Sequence, residues 1–313
     1  MLLSFRWLSE FVDLPSEVTV KEVAEHLTMA GIEVEGIKKI DELNDTILEV
    51  QITPNRPDAL SHVGVARELA ALFNARFYLS NSTVKELGGP IHDVVQVHVA
   101  LKHACPRYAC RVIEGVKVSE SPVDIQMRLL ALGIRPVNNV VDITNLILLE
   151  RGQPLHAFDW DSLKKDRGRS IITVRHPEKG EKLTTLDGKE RALKHSDVVI
   201  ADSRGPIALA GIMGGKDSEV SEQTTTILLE SAYFEPAMVR QMVRRHSLST
   251  EASYRFERGT DPNMVMHALD KAADLICQHT HGRARRESID IYPKPILPLE
   301  VFMRKKKLTD ISG

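Results

Sequence analysis

Apolar side chains recur at helical spacing in several parts of the chain. One stripe contains Val20, Val23 and Leu27, and Thr19 with Glu22 forms the pattern of a capping box at its start. On such grounds the sequence predicts helices over residues 4–12, 19–31, 61–73, 121–133, 235–246 and 261–282. Ser121 is expected to cap the fourth of these helices through its hydroxyl group.

Shorter apolar runs lie between turn signals, which is typical of strands. The predicted strands cover residues 46–52, 95–101, 108–113, 171–175, 183–186, 198–201 and 207–209. A polar linker over 38–45 precedes the first strand, and a long polar loop over 246–262 separates the last two helices. Because helices and strands do not alternate regularly, the predicted fold class is α+β.

The pattern of helices and strands changes near residue 85, which divides the chain into two parts. Residues 80–95 are polar and contain Gly88-Gly89-Pro90. We expect a small N-terminal α/β domain over residues 1–85 and a larger mixed-sheet domain over residues 86–292. Residues 293–313 read as the start of a further, truncated domain.

Composition narrows the class of protein. The 313 residues are 42% hydrophobic and 27% charged, with a net charge of −2. These values exclude a disordered chain and a strongly basic nucleic-acid coat, although a local basic patch stays open. The chain has no run of about 18 apolar residues and no secretory signal, so we expect neither a membrane span nor export. Three cysteines indicate a reducing cytoplasm.

Several familiar catalytic and metal sites are not predicted. The run Gly211 to Asp217 superficially resembles a phosphate loop, but no Ser or Thr follows Lys216. The chain contains neither a G-x-S-x-G elbow nor an H-E-x-x-H motif. Cys105 and Cys110 lack a second pair of metal ligands, so burial as small apolar residues is favoured. We therefore expect no metal site.

Four segments mix polar with apolar residues and are the candidates for chemistry. Residues 138–145 with 151–159 form either a structural hydrogen-bond network or the lining of a pocket. The glycines of residues 211–215 let a ligand or a backbone come close. Glu230 ends an apolar run, where a carboxylate requires a partner or a ligand. Arg255 and Arg258 either bind phosphate or pair with neighbouring glutamates, and the pairing is favoured.

The same segments carry a family resemblance that runs along nearly the whole chain. The chain resembles the β subunits of bacterial phenylalanyl-tRNA synthetases in several long motifs that occur in the same order. These motifs are F-R-W-L-S-E-F-V, M-A-G-I-E-V-E-G, T-P-N-R-P-D-A-L, N-N-V-V-D-I-T-N, G-Q-P-L-H-A-F-D, A-G-I-M-G-G, T-I-L-L-E-S-A-Y-F and R-F-E-R-G-T-D-P. The resemblance implies an N-terminal B1-like domain followed by the B3/B4 tRNA-editing domain.

The resemblance also implies two departures from the family pattern. The OB-fold domain inserted in typical members is absent near residues 37–45, and the sequence stops where a B5-like domain would begin. The synthetic active site belongs to the separate α subunit in this family, so we expect no aminoacylation from this chain alone. The resemblance implies ATP and Mg²⁺ only for the complete synthetase. It implies tRNA(Phe) and the α subunit as partners, with no membrane and no DNA.

What the resemblance implies for this chain is proofreading, the hydrolysis of tyrosine wrongly esterified to tRNA(Phe). The editing residues of the family fall on Thr144, Asn145, His156, Gly214, Glu230, Thr250 and Ala252. His156, Thr144 and Asn145 would hold a water molecule or polarise the ester. Glu230 would accept the substrate hydroxyl, Thr250 and Ala252 would shape the pocket, and Gly214 would leave room for the aminoacyl end.

Two other hypotheses compete with retained editing. The chain is alternatively a non-catalytic tRNA-contact or assembly module with a vestigial pocket, which the missing OB-fold domain and the near-neutral charge favour. It is alternatively a truncated fragment of the full subunit, which the broken pattern over residues 305–313 favours.

Overall fold

The computed structural model describes residues 1–80 and 82–312. The helices are α1 (Phe5–Leu8), α2 (Val20–Met29), α3 (His62–Leu72), α4 (Val123–Ala131), α5 (Asn139–Arg151), α6 (Pro236–His246), α7 (Glu251–Phe256), α8 (Met264–Thr280) and α9 (Lys305–Ser312). The strands in the first third are β1 (Leu2–Ser4), β2 (Val12–Asp13), β3 (Glu33–Ile40), β4 (Asp45–Gln51), β5 (Arg76–Phe77), β6 (Glu86–Pro90) and β7 (Val95–Val99).

The remaining strands build most of the two large sheets. They are β8 (Arg107–Glu114), β9 (Leu155–Asp159), β10 (Lys165–Asp166), β11 (Arg169–Arg175), β12 (Lys182–Thr184), β13 (Glu190–Ala192), β14 (Val199–Ala201), β15 (Pro206–Leu209), β16 (Met213–Gly214), β17 (Thr226–Tyr233), β18 (Arg283–Arg286) and β19 (Ile289–Ile291). Helices and mixed sheets thus occur together without regular alternation, and the predicted α+β class is confirmed.

The first sheet has the order β6-β18-β8-β17-β9, with β19 also paired to β8. The interior strand β17 is buried at six of its eight positions because both faces of the sheet are covered. Helices α5 and α8 pack on one face. Successive side chains of a strand point to opposite faces, so Leu229 faces these helices while Leu228 faces away from them.

A second sheet covers the other face of the first. Its order is β10-β11-β14-β15-β16, and β7 pairs in parallel with β11. The apolar layer between the two sheets contains Phe158 and Leu228 from the first sheet and Ile172 and Leu209 from the second. The candidate site lies in this layer.

The N-terminal residues pack against the helical layer. They form the small sheet β1-β4-β3 with helices α1 to α3. One hydrophobic cluster contains Leu3 and Leu69 of this part together with Ile147 and Leu269 of α5 and α8. The domain boundary near residue 85 stays a prediction, because the two parts share this core.

Several predicted helix ends are confirmed in detail. Thr19 and Glu22 form the reciprocal capping box at the start of α2. Gly31 follows the end of that helix with φ of 86°, a left-handed conformation that glycine adopts without strain. Glu235 caps α6 by accepting a hydrogen bond from the Met238 amide, with Pro236 in the first turn.

Two expectations for the N-terminal part are wrong. The helix predicted over residues 4–12 is only Phe5–Leu8, because β1 and β2 on either side pair with β4 and β5. The polar linker predicted over 38–45 is instead the hairpin between β3 and β4, turned by Asn44 in a left-handed conformation. Charged residues are tolerated in β3 because most of its side chains face solvent.

Two further expectations are also wrong. Ser121 makes no capping hydrogen bond to α4, and its hydroxyl donates to the Asp142 carboxylate at 2.5 Å instead. The polar loop predicted over residues 246–262 contains the helix α7, which is too short to show a periodic apolar stripe in the sequence.

Residues 293–312 lie largely exposed, and α9 buries none of its side chains. Gly313 is outside the described residues, so the further domain proposed for 293–313 stays a prediction. Across residues 1–80 and 82–312, no helix combines the length and the apolar character needed to cross a membrane.

Candidate active site

A cavity of about 60 Å³ lies between the two sheets, where their strands meet helix α7. Strands β9 and β17 of the first sheet form one wall, β15 and β16 of the second sheet form another, and α7 closes a third side. The residues that line it include His156, Met213, Gly214, Glu230, Ala252 and Phe256. Four of the sequence-predicted residues, namely His156, Gly214, Glu230 and Ala252, therefore lie together.

His156 extends into the cavity from β9. It stands directly opposite Glu230 of β17 in the antiparallel register, so the two Cβ atoms are about 5 Å apart. The ring packs edge-on against Phe158, with centroids 4.5 Å apart. Burial lowers the pKa of His156 to about 4, so the imidazole is neutral at pH 7. Its Nε2 atom is enclosed and has no hydrogen-bond partner among the described residues.

Gly214 makes room for the imidazole of His156. A Cβ added at Gly214 would lie 2.5 Å from His156 Nε2, a separation at which the ring would have to shift. The sequence predicts that this glycine leaves room for the aminoacyl end of a substrate. The structure assigns that space to the protein's own ring, and direct contact of Gly214 with substrate stays a prediction.

Glu230 is a buried carboxyl, and none of the described residues that act on its pKa is a cation. Burial raises its pKa to about 8, and the hydroxyl of Tyr108 opposes that rise by donating a hydrogen bond to Oε2 at 3.3 Å. At pH 7 the group is therefore mostly a neutral acid. The partner predicted for a carboxyl at this apolar position is Tyr108, a residue that sequence reasoning missed. Oε1 of Glu230 forms no hydrogen bond with any described residue.

Helix α7 places Ala252 at the cavity and begins at Thr250. Thr250 is the N-cap residue of this helix and accepts a hydrogen bond from the Ser253 amide at 3.0 Å. Its hydroxyl donates to the Ile212 carbonyl at 2.9 Å, which ties α7 to the segment between β15 and β16. Ala252 lines the cavity directly. Thr250 is not among the lining residues, and its role in shaping the pocket stays a prediction.

Thr144 and Asn145 are not among the residues that line the cavity. They lie on α5, where the Thr144 hydroxyl donates to the Val141 carbonyl at 2.7 Å. On the same helix, Asp142 is fully buried and accepts hydrogen bonds from Ser121 and from the Val137 amide. The polar residues of α5 therefore form a structural network to this extent, and a role for Thr144 and Asn145 in the site stays a prediction.

The two arginines of the last polar segment are ion-paired. Arg255 pairs with Glu251 at 2.8 Å and Arg258 pairs with Glu257 at 2.7 Å, which confirms the favoured interpretation. Arg255 is almost fully buried and also donates to the Leu60 carbonyl at 3.1 Å. These contacts fasten α7 to the N-terminal part, and the structure offers no support for phosphate binding by the pair.

Cys105 and Cys110 are buried, as predicted. Burial raises the pKa of both thiols, so they are not thiolate nucleophiles. Within residues 1–80 and 82–312 no group of three or more His, Cys, Asp or Glu side chains is arranged to hold a metal ion.

The family model described as the B3/4 domain matches residues 104–281 of the chain. This span is more than half of the sequence. The chain belongs to the B3/4 domain family. All the residues that line the cavity fall inside the B3/4 span, so the candidate site is a feature of that domain and not of its N-terminal neighbour.

The B3/4 protein is also similar to long curated relatives. It is 50% identical over 272 residues to the phenylalanine–tRNA ligase beta subunit of Anaeromyxobacter dehalogenans (strain 2CP-C), covering 87% of the chain and 34% of that protein. It is 45% identical over 294 residues to the phenylalanine–tRNA ligase beta subunit of Protochlamydia amoebophila (strain UWE25), covering 94% and 36%. The chain thus spans about a third of the length of these relatives.

One solved structure shows a weaker likeness to the chain. The N-terminal fragment of the phenylalanyl-tRNA synthetase beta subunit from Pyrococcus horikoshii aligns with 100% of the chain and 84% of that fragment, at 18% identity and a TM-score of 0.44. A likeness of this size carries no further argument, and the family assignment rests on the B3/4 match.

Proposed function

We propose that the chain is the proofreading part of a phenylalanine–tRNA ligase beta subunit and hydrolyses tyrosine wrongly esterified to tRNA(Phe). One observation carries this proposal. His156 Nε2 is buried without a hydrogen-bond partner among the described residues. Glu230, whose Oε2 accepts a hydrogen bond from Tyr108, faces His156 across adjacent strands at an apolar cavity, and its Oε1 makes no hydrogen bond with the described residues. Polar atoms without partners are costly in such surroundings, and a polar ligand would satisfy both.

The proposed hydrolysis requires few catalytic groups from the protein. An aminoacyl ester is already activated, so a water molecule held in the correct place is sufficient and no covalent intermediate is required. The neutral imidazole of His156 can hold that water or the ester carbonyl through Nε2. Because the cysteine thiols nearby keep their protons, positioned water is the nucleophile that this cavity supports.

Discrimination between tyrosine and phenylalanine falls to Glu230. The two amino acids differ by one hydroxyl, and a site that hydrogen-bonds this group rejects the analogue that leaves its polar atom unpaired. The apolar walls contributed by Met213, Ala252 and Phe256 suit the aromatic ring. At about 60 Å³ the cavity is smaller than the roughly 150 Å³ that holds benzene in an engineered protein. Binding therefore requires these walls to move apart.

The partners of the proposed activity follow from the relatives. They are beta subunits of a tRNA ligase, so we propose an α subunit and tRNA(Phe) as partners of this chain. ATP and Mg²⁺ would serve aminoacylation by the complete synthetase. Editing by positioned water requires neither of them.

The test is deacylation of purified Tyr-tRNA(Phe) and Phe-tRNA(Phe) by this chain. We expect Tyr-selective hydrolysis, and we expect His156→Ala to slow it about 100-fold or more because the group that orients the reacting water is lost. His98→Ala, on the exposed side of β7, is the matched control and should leave the rate unchanged.

Two results would contradict the proposal. Equal hydrolysis of the two esters would exclude tyrosine proofreading. Salt-dependent binding of tRNA without hydrolysis, even after addition of the α subunit and of the domains that the longer relatives contain, would indicate a non-catalytic tRNA-contact module instead.

A further inference from the structure

Behind the cavity, the hydroxyl of Tyr108 contacts the carboxyl of Glu230. We propose that Tyr108 is a positioning residue for substrate selection: its hydroxyl engages Oε2 of Glu230 and leaves Oε1 to donate a hydrogen bond to the phenol oxygen of a bound tyrosyl group. This inference rests on the proposed function and deepens it, because it assigns the direction of the hydrogen bond that selects tyrosine.

The register of the first sheet places the two side chains together. Glu230 of β17 is paired with Cys110 of β8, and Tyr108 lies two residues from that position on the same face of the strand. Such diagonal neighbours are within reach of an aromatic side chain. Tyr108 is fully buried, and its hydroxyl lies 3.3 Å from Glu230 Oε2.

Four titratable side chains among the described residues face Glu230 from the neighbouring elements. Tyr108 and Cys110 come from β8, Cys105 comes from the turn before β8, and His156 comes from β9. None of them carries a positive charge at pH 7, since the His156 imidazole is neutral. Burial therefore prevails and keeps Glu230 protonated, with its pKa raised to about 8.

Tyr108 acts as a hydrogen-bond donor to Glu230 because its hydroxyl keeps its own proton. Burial and the nearby Glu230 raise the pKa of the Tyr108 hydroxyl well above its usual range, so the group stays a donor. A protonated carboxyl has one oxygen that only accepts and one that donates. With the Tyr108 hydroxyl donating to Oε2, the proton of Glu230 resides on Oε1, the oxygen without a partner among the described residues.

This assignment makes phenylalanine the wrong ligand. A tyrosyl group presents an oxygen that accepts from Oε1, whereas a phenylalanyl group presents an aromatic C–H and leaves the donor unsatisfied in a buried site. The cost of such an unpaired group, about 1–3 kcal/mol, corresponds to a difference of roughly 5- to 150-fold between the two substrates.

The test compares wild-type protein with Tyr108→Phe, a change that removes only the hydroxyl. We expect the preference for Tyr-tRNA(Phe) over Phe-tRNA(Phe) in deacylation to fall about 10-fold, through KM more than kcat. The hydrogen bond from Tyr108 favours the ionised form of Glu230. Its loss should therefore raise the pKa of Glu230 and move the alkaline limit of Tyr-selective hydrolysis to higher pH.

Two variants serve as controls. Glu230→Gln should abolish the alkaline limit, because the amide does not titrate in this range. Tyr233→Phe makes the same chemical change on β17, on the face that packs against the helices, and should alter neither the selectivity nor the pH profile.

A second measurement is independent of hydrolysis. Carbon-13 NMR of glutamate-labelled protein follows the titration of the Glu230 carboxyl directly, with Glu230→Gln identifying its signal. A pKa of Glu230 that is unchanged in Tyr108→Phe would overturn the inference even if the wild-type protein edits. A raised pKa together with no Tyr-selective hydrolysis by the wild type would instead overturn the proposed function and, with it, the tyrosyl ligand.

Discussion

The contact between Gly214 and His156 shows how single residues set the geometry of the cavity. The imidazole occupies the space that any larger residue at position 214 would fill. The ring is also held by Phe158 on its own strand. The position of the imidazole thus depends on the absence of a methyl group at residue 214 as well as on its contact with Phe158.

Gly214→Ala tests this dependence. The new methyl group should displace the ring, slow Tyr-tRNA(Phe) deacylation by at least about 10-fold, and lower the free energy of unfolding by about 1–3 kcal/mol through overpacking. Urea denaturation measures the stability. In the double variant with His156→Ala the clash is gone, so the two stability losses should not add. Additive losses would show that the two residues do not compete for space.

At the scale of elements, α7 is the wall of the cavity most dependent on individual side-chain contacts. It has only six residues and is too short to be stable by itself. Thr250 ties its start to the Ile212 carbonyl, and Arg255 ties its end to the Leu60 carbonyl. The strands of the other walls are held by continuous ladders instead, so we expect α7 to be the wall that moves when a substrate enters.

Thr250→Ala removes both the cap and the tie of α7. We expect a loss of about 1–2 kcal/mol in the free energy of unfolding together with slower deacylation, and we expect Thr250→Ser to restore both. Thr19→Ala is the matched control, since Thr19 caps α2 in a similar capping box far from the cavity. It should cost stability without changing the rate relative to the wild type. A normal rate for Thr250→Ala would exclude a positioning role for this tie.

The prediction of elements from sequence succeeded where local chemistry decides. The capping box of α2 and the start of α6 at Glu235 and Pro236 follow from side chains close in the chain. The prediction failed for β3 and α7, whose conformations depend on pairing and ties to distant segments. For the same reason Tyr108 was missed, because its contact with Glu230 spans 122 residues of sequence.

At the scale of the whole molecule, His62 joins the N-terminal part to the B3/4 domain. The Ser4 amide donates to Nε2 at 3.0 Å, so the other ring nitrogen, Nδ1, carries the proton toward the Leu149 carbonyl, also at 3.0 Å. Protonation of Nε2 would break the first of these bonds. Burial accordingly lowers the pKa of His62 from 6.5 to about 4, and the neutral ring is required for the two parts to fit.

This linkage predicts a specific dependence of stability on pH. Because the folded-state pKa lies below the unfolded value, the contribution of His62 is fully present above pH 6.5 and is lost as the pH falls to about 4. The loss amounts to at most about 3 kcal/mol. His62→Gln keeps a donor and an acceptor but does not titrate, so its free energy of unfolding should fall less over this window.

Comparing the wild type with His62→Gln separates the contribution of His62 to the pH dependence of stability from those of the other titrating groups. His156 contributes in the same direction over the same window. Glu230 contributes oppositely, since its raised pKa gives stability that is fully present below pH 4.5 and is lost as the pH rises through about 8. Both contributions are shared by wild type and His62→Gln. Parallel curves of stability against pH would contradict the role assigned to His62.

The pairing of His156 with Glu230 across adjacent strands has a consequence for redesign of the site. A slip of one residue between β9 and β17 would turn one of the two side chains to the opposite face of the sheet. An insertion or deletion in either strand would therefore disrupt the site. The distance between His156 and Glu230 is fixed by the strand pairing, and it limits the size of the ester that the cavity accepts. A library aimed at another aminoacyl group should leave both strands intact. It should vary Met213, Ala252 and Phe256, which line the cavity but do not set the distance between His156 and Glu230.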